Sequence, residues 1–401
     1  MEKKGTIIGL IAVILALGGL GLASYNIFVP QGQLDDNPQY FCYSSTEVQN
    51  AIDEIGSGAG VIIIAQDITL SDTIDIDQGG DYIIQGNGAI TISCGGNRTA
   101  FRVSDMETLT IQNLKIDASN LSTPTLNIIN INDENDNPVI IENVQIHGIG
   151  LGNGIEIRSD NVWVKDCHLN ALDKGIRLNE SSHNCITGNI IENLSGSVDG
   201  RGIILTGAAN NTIIGNIIDN INGDDDGIGI YVLDANYNAI TDNIISNLDG
   251  NDDAMGIFVS DSAYNTFDGN RFNNYNSGND IYGVWLAIRS DYNTFNDNTF
   301  SNFNPTDDSF GIICNGNYNT ISGNVIDNLD GGSARGIYMQ DDYNAILSNV
   351  ISDVQATSST GYGIHMDSNA DYNTVIGNIL TFISNTEILD QGTGNEVVNN
   401  I

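Results

Sequence analysis

From Gly154 onward, apolar residues recur in short alternating runs separated by Asn, Gly and Asp. One run reads Gly-Ile-x-aliphatic. It begins at Gly154, Gly175, Gly202, Gly229, Gly256, Gly283 (with Val284), Gly311, Gly336 and Gly363, in steps of 21, 27, 27, 27, 27, 28, 25 and 27 residues. A second run, Asn-x-[Ile/Phe/Val]-x-x-Asn, starts at Asn184, Asn211, Asn238, Asn265, Asn293, Asn319, Asn344, Asn373 and Asn395. Its closing Asn always falls five residues later, from Asn189 to Asn400. Alternation with a period of two predicts strands, and the Asn, Gly and Asp clusters predict turns.

A unit near 27 residues accommodates three short strands and three turns, and no repeat carries a helical stripe. One such coil cannot bury its own apolar side chains, whereas stacked coils about 4.8 Å apart can. An Asn at a fixed corner of every coil predicts an inward ladder of amides that satisfies buried turn backbone. The ladder expected here is Asn184, Asn211, Asn238, Asn265, Asn293, Asn319, Asn344 and Asn373, with their partners five residues on. The tandem Gly-Ile-x-Ile and Asn-x-Ile-x-Gly-Asn units resemble the repeats of NosD-type periplasmic and surface proteins. Over roughly residues 40–401 the chain is similar to the pectin-lyase-like superfamily. The resemblance implies an all-β, right-handed, single-stranded parallel β-helix whose first coil is plugged by a short helix. Thr46 as N-cap, the stripe Val48, Ala51, Ile52 and Ile55, and Gly56 as terminator supply that helix, and Val61–Ile64 a buried strand after it.

Ahead of the repeats, Lys3 and Lys4 precede an uncharged stretch from Gly5 to Val29. That is long enough, with its flanks, to span a bilayer. Residues 1–30 are therefore read as a membrane segment, 31–39 as a linker and 40–401 as the β-helix. An uncleaved signal anchor, a signal peptide cut after Ala23 and an archaeal pilin-like signal all place the body outside the cytoplasm. Five scattered cysteines match neither a disulfide framework nor a zinc site, although Cys42 and Cys94 form a candidate bridge near the cap.

Charge then limits the partners. With 13 basic and 51 acidic residues the net charge is −38, which excludes nucleic acid and favours cations. Acidic turns flank the Gly-Ile runs, and Asp224, Asp225, Asp226, Asp252 and Asp253 are candidate calcium ligands. No loop matches a known calcium repeat, so a solvated acidic surface is the simpler reading.

In the Gly-Ile-x-aliphatic run, x must point outward. Read along the chain it gives Glu156, Arg177, Ile204, Tyr231, Phe258, Trp285, Ile313, Tyr338 and His365. Tyr231, Phe258, Trp285, Tyr338 and His365 are thus a predicted ligand-binding ladder, suited to sugar rings. A second line, from Tyr237 to Tyr372, precedes each ladder Asn and reads as turn stacking. Lys165, His168, Lys174 and Arg177 are the candidate catalytic bases, with Glu156 and Asp166 nearby. Gly223-Asp224-Asp225-Asp226 faintly resembles a polygalacturonase segment, but the His-Gly and Arg-x-Lys that follow in that family are missing. Three readings remain open. The first is a membrane-tethered surface protein binding polysaccharide or cell-envelope glycans. The second is a carbohydrate-active lyase, epimerase or hydrolase, and the third a structural, self-associating surface component.

Overall fold

The computed structural model describes residues 37–123 and 125–401. The predicted membrane segment, and most of the predicted linker, lie outside the described residues. Among the described residues no helix is long and apolar enough to cross a membrane. The chain winds as a parallel β-solenoid of about 12 turns. A representative coil contains Gly227–Leu233 (wall A), Ala239–Thr241 (wall B) and Ile244–Gly250 (wall C). Each strand pairs in parallel with its equivalent one coil on, as in Tyr231↔Phe258, Ile240↔Phe267 and Ile245↔Phe272. The alternation assigns the faces: Ile230, Val232, Ile240, Ile245 and Leu248 fill the interior. Further along, Phe267 stacks on Phe295 and Phe272 on Phe300, so larger side chains substitute for Ile in register.

The amide ladders form as the spacing predicts. The Asn216 backbone N–H and Nδ2 both donate to Asn243 Oδ1, at 3.0 and 2.9 Å, and Nδ2 also donates to the Ile186 carbonyl at 2.9 Å. One side chain therefore ties three consecutive coils. Asn211, Asn238 and Asn265 do the same one corner earlier, as in Asn211 to Asn238, whereas Asn319 and Asn344 turn their Nδ2 to Cys314 and Asp341 of their own coil. All these amides are buried, where an unpaired donor costs about 1–3 kcal/mol. At the same corner, Tyr237, Tyr264, Tyr292, Tyr318, Tyr343 and Tyr372 adopt φ of 55–60°. The left-handed region costs a non-glycine residue about 1–2 kcal/mol. Stacking of successive rings, worth about 0.5–1.5 kcal/mol per pair, offsets it.

The plug is a helix, α1 (Ser45–Ile55), ended by Gly56. Its N-cap is Ser44 rather than the expected Thr46. Ser44 Oγ accepts from the Glu47 N–H, and Glu47 Oε2 accepts from the Tyr43 N–H one residue ahead of the cap, a shifted form of the capping box. Val48, Ala51 and Ile52 close the end of the core. Cys42 and Cys94 are buried and unbridged, so the candidate disulfide is not formed. Burial pushes their thiols up to about 11 and about 12. Cys314 is a buried small hydrophobe, as its place in the repeat implies.

Replacing Asn243 by Ala removes the acceptor for both donors of Asn216 in mid-solenoid. We expect a loss of about 2–4 kcal/mol of unfolding free energy, against less than about 1 kcal/mol for outward Thr241→Ala, read by denaturant unfolding.

Candidate functional site

Wall A is where the sequence concentrates aromatic and basic chemistry on an outer face. Glu156, Arg177, Ile204, Tyr231, Phe258, Trp285, Ile313, Tyr338 and His365 stand in one unbroken register column. The column is less exposed than the alternation suggests. A second outward column runs beside it: Arg201, Ile228, Met255, Tyr282, Phe310 and Arg335. Sequence reading missed this column because strict alternation places the residue before the glycine inward. The strand departs from alternation at that glycine, which drops out of the pairing register. A Cβ on Gly256 would lie 2.4 Å from the Gly283 carbonyl oxygen and 2.5 Å from the Phe272 ring. The glycine thus sits inward with the following Ile, and the residues on both sides face out.

The two columns pack into an apolar cluster outside the solenoid core. Ile228, Met255, Tyr282, Phe310 and Ile313 are buried in it, with Tyr231, Phe258, Trp285 and Tyr338 half-buried against them. Tyr231 stacks on Phe258 at 5.2 Å, whereas Trp285 meets Phe258 edge to face and lies beside Tyr282 at 4.8 Å. Trp285 Nε1 has no partner among the described residues. Arg201 covers the Tyr231 ring at 4.0 Å, and Arg335 sits about 5 Å from Phe310 and Tyr338. His365 is buried rather than displayed. Burial lowers its pKa, and Nε2 faces Gln391 Oε1 at 3.3 Å.

The predicted basic cluster does not converge. Lys165 is on wall B, paired with Glu142 at 3.1 Å, and His168 is on wall C, 2.9 Å from Glu192. Only Lys174 and Arg177 stand on wall A. Residues close in sequence thus fall on different walls. On wall A, Glu156 is 1 % exposed although it faces outward. Its Oε1 is 3.0 Å from Arg158, while Oε2 lies 3.9 Å from Arg177 and accepts no hydrogen bond. Lys174 pairs with buried Asp173.

The acidic turns have a structural role that the sequence did not reveal. Asp226 Oδ1 accepts from the Asp253 N–H, Asp253 from Asp280, Asp280 from Asp308 and Asp308 from Ser333. This carboxylate ladder borders wall A. Burial, then neighbouring carboxylates, raise Asp226 and Asp253 to about 6. Of the candidate calcium ligands, Asp225, Asp226 and Asp252 come within 4.8 Å of one another, and Asp224 and Asp253 stand outside the trio.

Residues 127–300 and 248–401 match the family model for a right handed beta helix region, and the chain belongs to that family. No curated protein matches the sequence. Several solved structures share the fold at low identity. A mannuronic acid specific polysaccharide family 6 lyase from human gut microbiota is 12% identical (TM-score 0.55), with 88% of this chain and 91% of that one covered. DFA-IIIase from Arthrobacter chlorophenolicus A6 in complex with DFA-III is 14% identical (TM-score 0.54), with coverage of 85% and 94%. The periplasmic alginate epimerase AlgG is 14% identical (TM-score 0.50), with coverage of 84% and 77%.

The raised aspartates fix the sign of a pH effect. A folded pKa above the unfolded one means that the native state binds more protons between the two values. This contribution favours folding below about pH 4 and is lost as pH rises through about 6. Asp226→Asn keeps the Oδ1 acceptor and removes the charge. We expect its melting temperature to exceed wild type by about 1–2 °C at pH 7.5, the difference vanishing near pH 4.

Proposed function

We propose that the protein binds polysaccharide or cell-envelope glycans along wall A, as a surface protein tethered by residues 1–30. The carrying observation is the outer apolar cluster of wall A, in which Tyr231, Phe258, Trp285 and Tyr338 remain half-exposed over an extended, regular track. An apolar surface outside the core requires a partner more than an apolar surface within it does. The similar folds of carbohydrate-active proteins agree with a glycan partner. The chain has two tryptophans, so Trp163→Phe leaves Trp285 as the sole indole reporter. Titration of a glycan panel should change its emission, and Phe258→Ala should weaken the same binding by about tenfold. No spectral response to any glycan would discard the reading.

A second reading, a carbohydrate-active enzyme on the same wall, is favoured by Glu156. It is an outward carboxylate at the head of the aromatic column, and a sugar that displaced the Arg158 and Arg177 side chains flanking it would meet its oxygens. Turnover of a polymer from the panel, abolished by Glu156→Gln with binding retained, distinguishes catalysis from binding.

Calcium is proposed as a stabilising ion at Asp225, Asp226 and Asp252. Added calcium is expected to raise the wild-type melting temperature more than that of Asp225→Asn/Asp252→Asn. An equal rise in both would leave only general screening.

A further inference from the structure

Wall B carries a surface that glycan binding on wall A does not use. Six stacked tyrosines, Tyr237 to Tyr372, line one corner of it. Five exposed aliphatics, Ile190, Ile217, Ile244, Val325 and Ile379, line the other. Together these are eleven of the twenty large apolar side chains exposed among the described residues. Between the corners, the first outward residue of each wall B rung is short, as in Thr212, Ala239, Thr266 and Thr294, and the second includes the aliphatic Ile214, Leu347 and Ile376. Eight rungs, each about 15–20 Å wide, give about 40 Å by 15–20 Å, or roughly 600–800 Å². That is close to the approximately 800 Å² that each partner contributes to a standard interface.

The chemistry selects the occupant. The tyrosine rings stack at 4.9–5.4 Å with planes within 8° of parallel, so neighbouring rings cover their faces and the edges point outward. Sugar rings stack on aromatic faces, so this column is a poor glycan platform. Asp291, Asp342 and Asp371 border the tyrosine corner, and the middle of the strip holds one pair of opposite charges. At its middle lie Asp242, Asp268 and Asp297, and the latter two neighbour Arg271. Arg271 is exposed and has no ion-pair partner among the described residues. Such a cation is rare in a chain of charge −38. Asp297 is also exposed and stands one rung on, between Asn296 and Thr299, which pair with Asp268 and Arg271.

We propose that wall B is a self-association surface on which two copies of the chain pack wall to wall and antiparallel. The twofold axis lies between the rungs of Arg271 and Asp297. This arrangement sets Arg271 of one copy opposite Asp297 of the other, twice. It also lays tyrosine column on tyrosine column and buries both aliphatic corners. The remaining charge opposes approach, so association strengthens as salt shortens the screening length from about 10 Å at 0.1 M to about 3 Å at 1 M.

Sedimentation velocity of the full chain in a non-ionic detergent tests this. Wild type should pass from monomer towards dimer as salt rises. Ile217→Lys/Ile244→Lys should weaken the dimer at least about tenfold with an unchanged melting temperature, since both side chains are already exposed. Arg271→Asp should weaken it similarly, and adding Asp297→Arg to that variant should restore it. A monomer under all conditions overturns the proposal, as does a dimer indifferent to these substitutions. Retention of the monomer on insoluble glycan, lost in Ile217→Lys/Ile244→Lys, would also overturn it and assign the wall to a carbohydrate instead.

Discussion

The structure depends on one requirement: the backbone donors at two corners of every coil must be satisfied away from water. Asparagine meets it because its amide both accepts and donates. Asn216 accepts from the coil before it, donates to Asn243 in the coil after it, and reaches back to the carbonyl of Ile186. Most ladder amides bond to a neighbouring coil, so stability is shared between neighbours, as expected of a quasi-one-dimensional repeat. The Ile and Phe stacks add apolar burial to this frame, and the inward glycine of wall A admits the close approach that the coil geometry demands.

With the corners and the interior fixed, the outward positions are free to differ from wall to wall. Wall A gathers aromatic and basic side chains, wall B begins most rungs with a short one, and the turns carry many of the aspartates. The aspartates are not merely solvating. Asp226, Asp253 and Asp280 each accept a backbone N–H from the following coil, which repeats the amide ladder with a charged acceptor. Burial opposes ionisation there, whereas hydrogen bonding favours it, and the raised pKa values of Asp226 and Asp253 show that burial prevails.

The fold was legible because its determinants repeat. Asn184 to Asn400, the Gly-Ile runs and the plug helix all occupy the places their spacing implies. The site was only partly legible. The column from Glu156 to His365 follows from alternation, yet its burial does not, because the neighbouring column from Arg201 to Arg335 exists only through a departure from alternation at glycine. Lys165 and His168 illustrate the complementary failure. They are near Lys174 in sequence, but a coil of this size turns through its corners between them, and proximity along the chain becomes separation in space. Ser44 displaced Thr46 as N-cap although both have a capping-box partner three residues on: Glu47 closes the helix start, whereas Gln49 is spent on the backbone of Asp75 in the next coil.

The distribution of charge links these observations. A chain of net charge −38 must either hold its carboxylates apart or give them donors. Here the ladders and turns absorb several, Arg201 and Arg335 each lie over an aromatic ring while pairing with Asp199 and Asp308, and Arg289 pairs with Asp261. What remains is an acidic border along wall A. Such a border repels polyanions, so under the proposed function a neutral glycan would reach wall A more readily than a uronate polymer, unless a cation first neutralised the Asp225, Asp226 and Asp252 group. Wall chemistry thus sets which face can engage a partner, and the acidic turns set which partners approach.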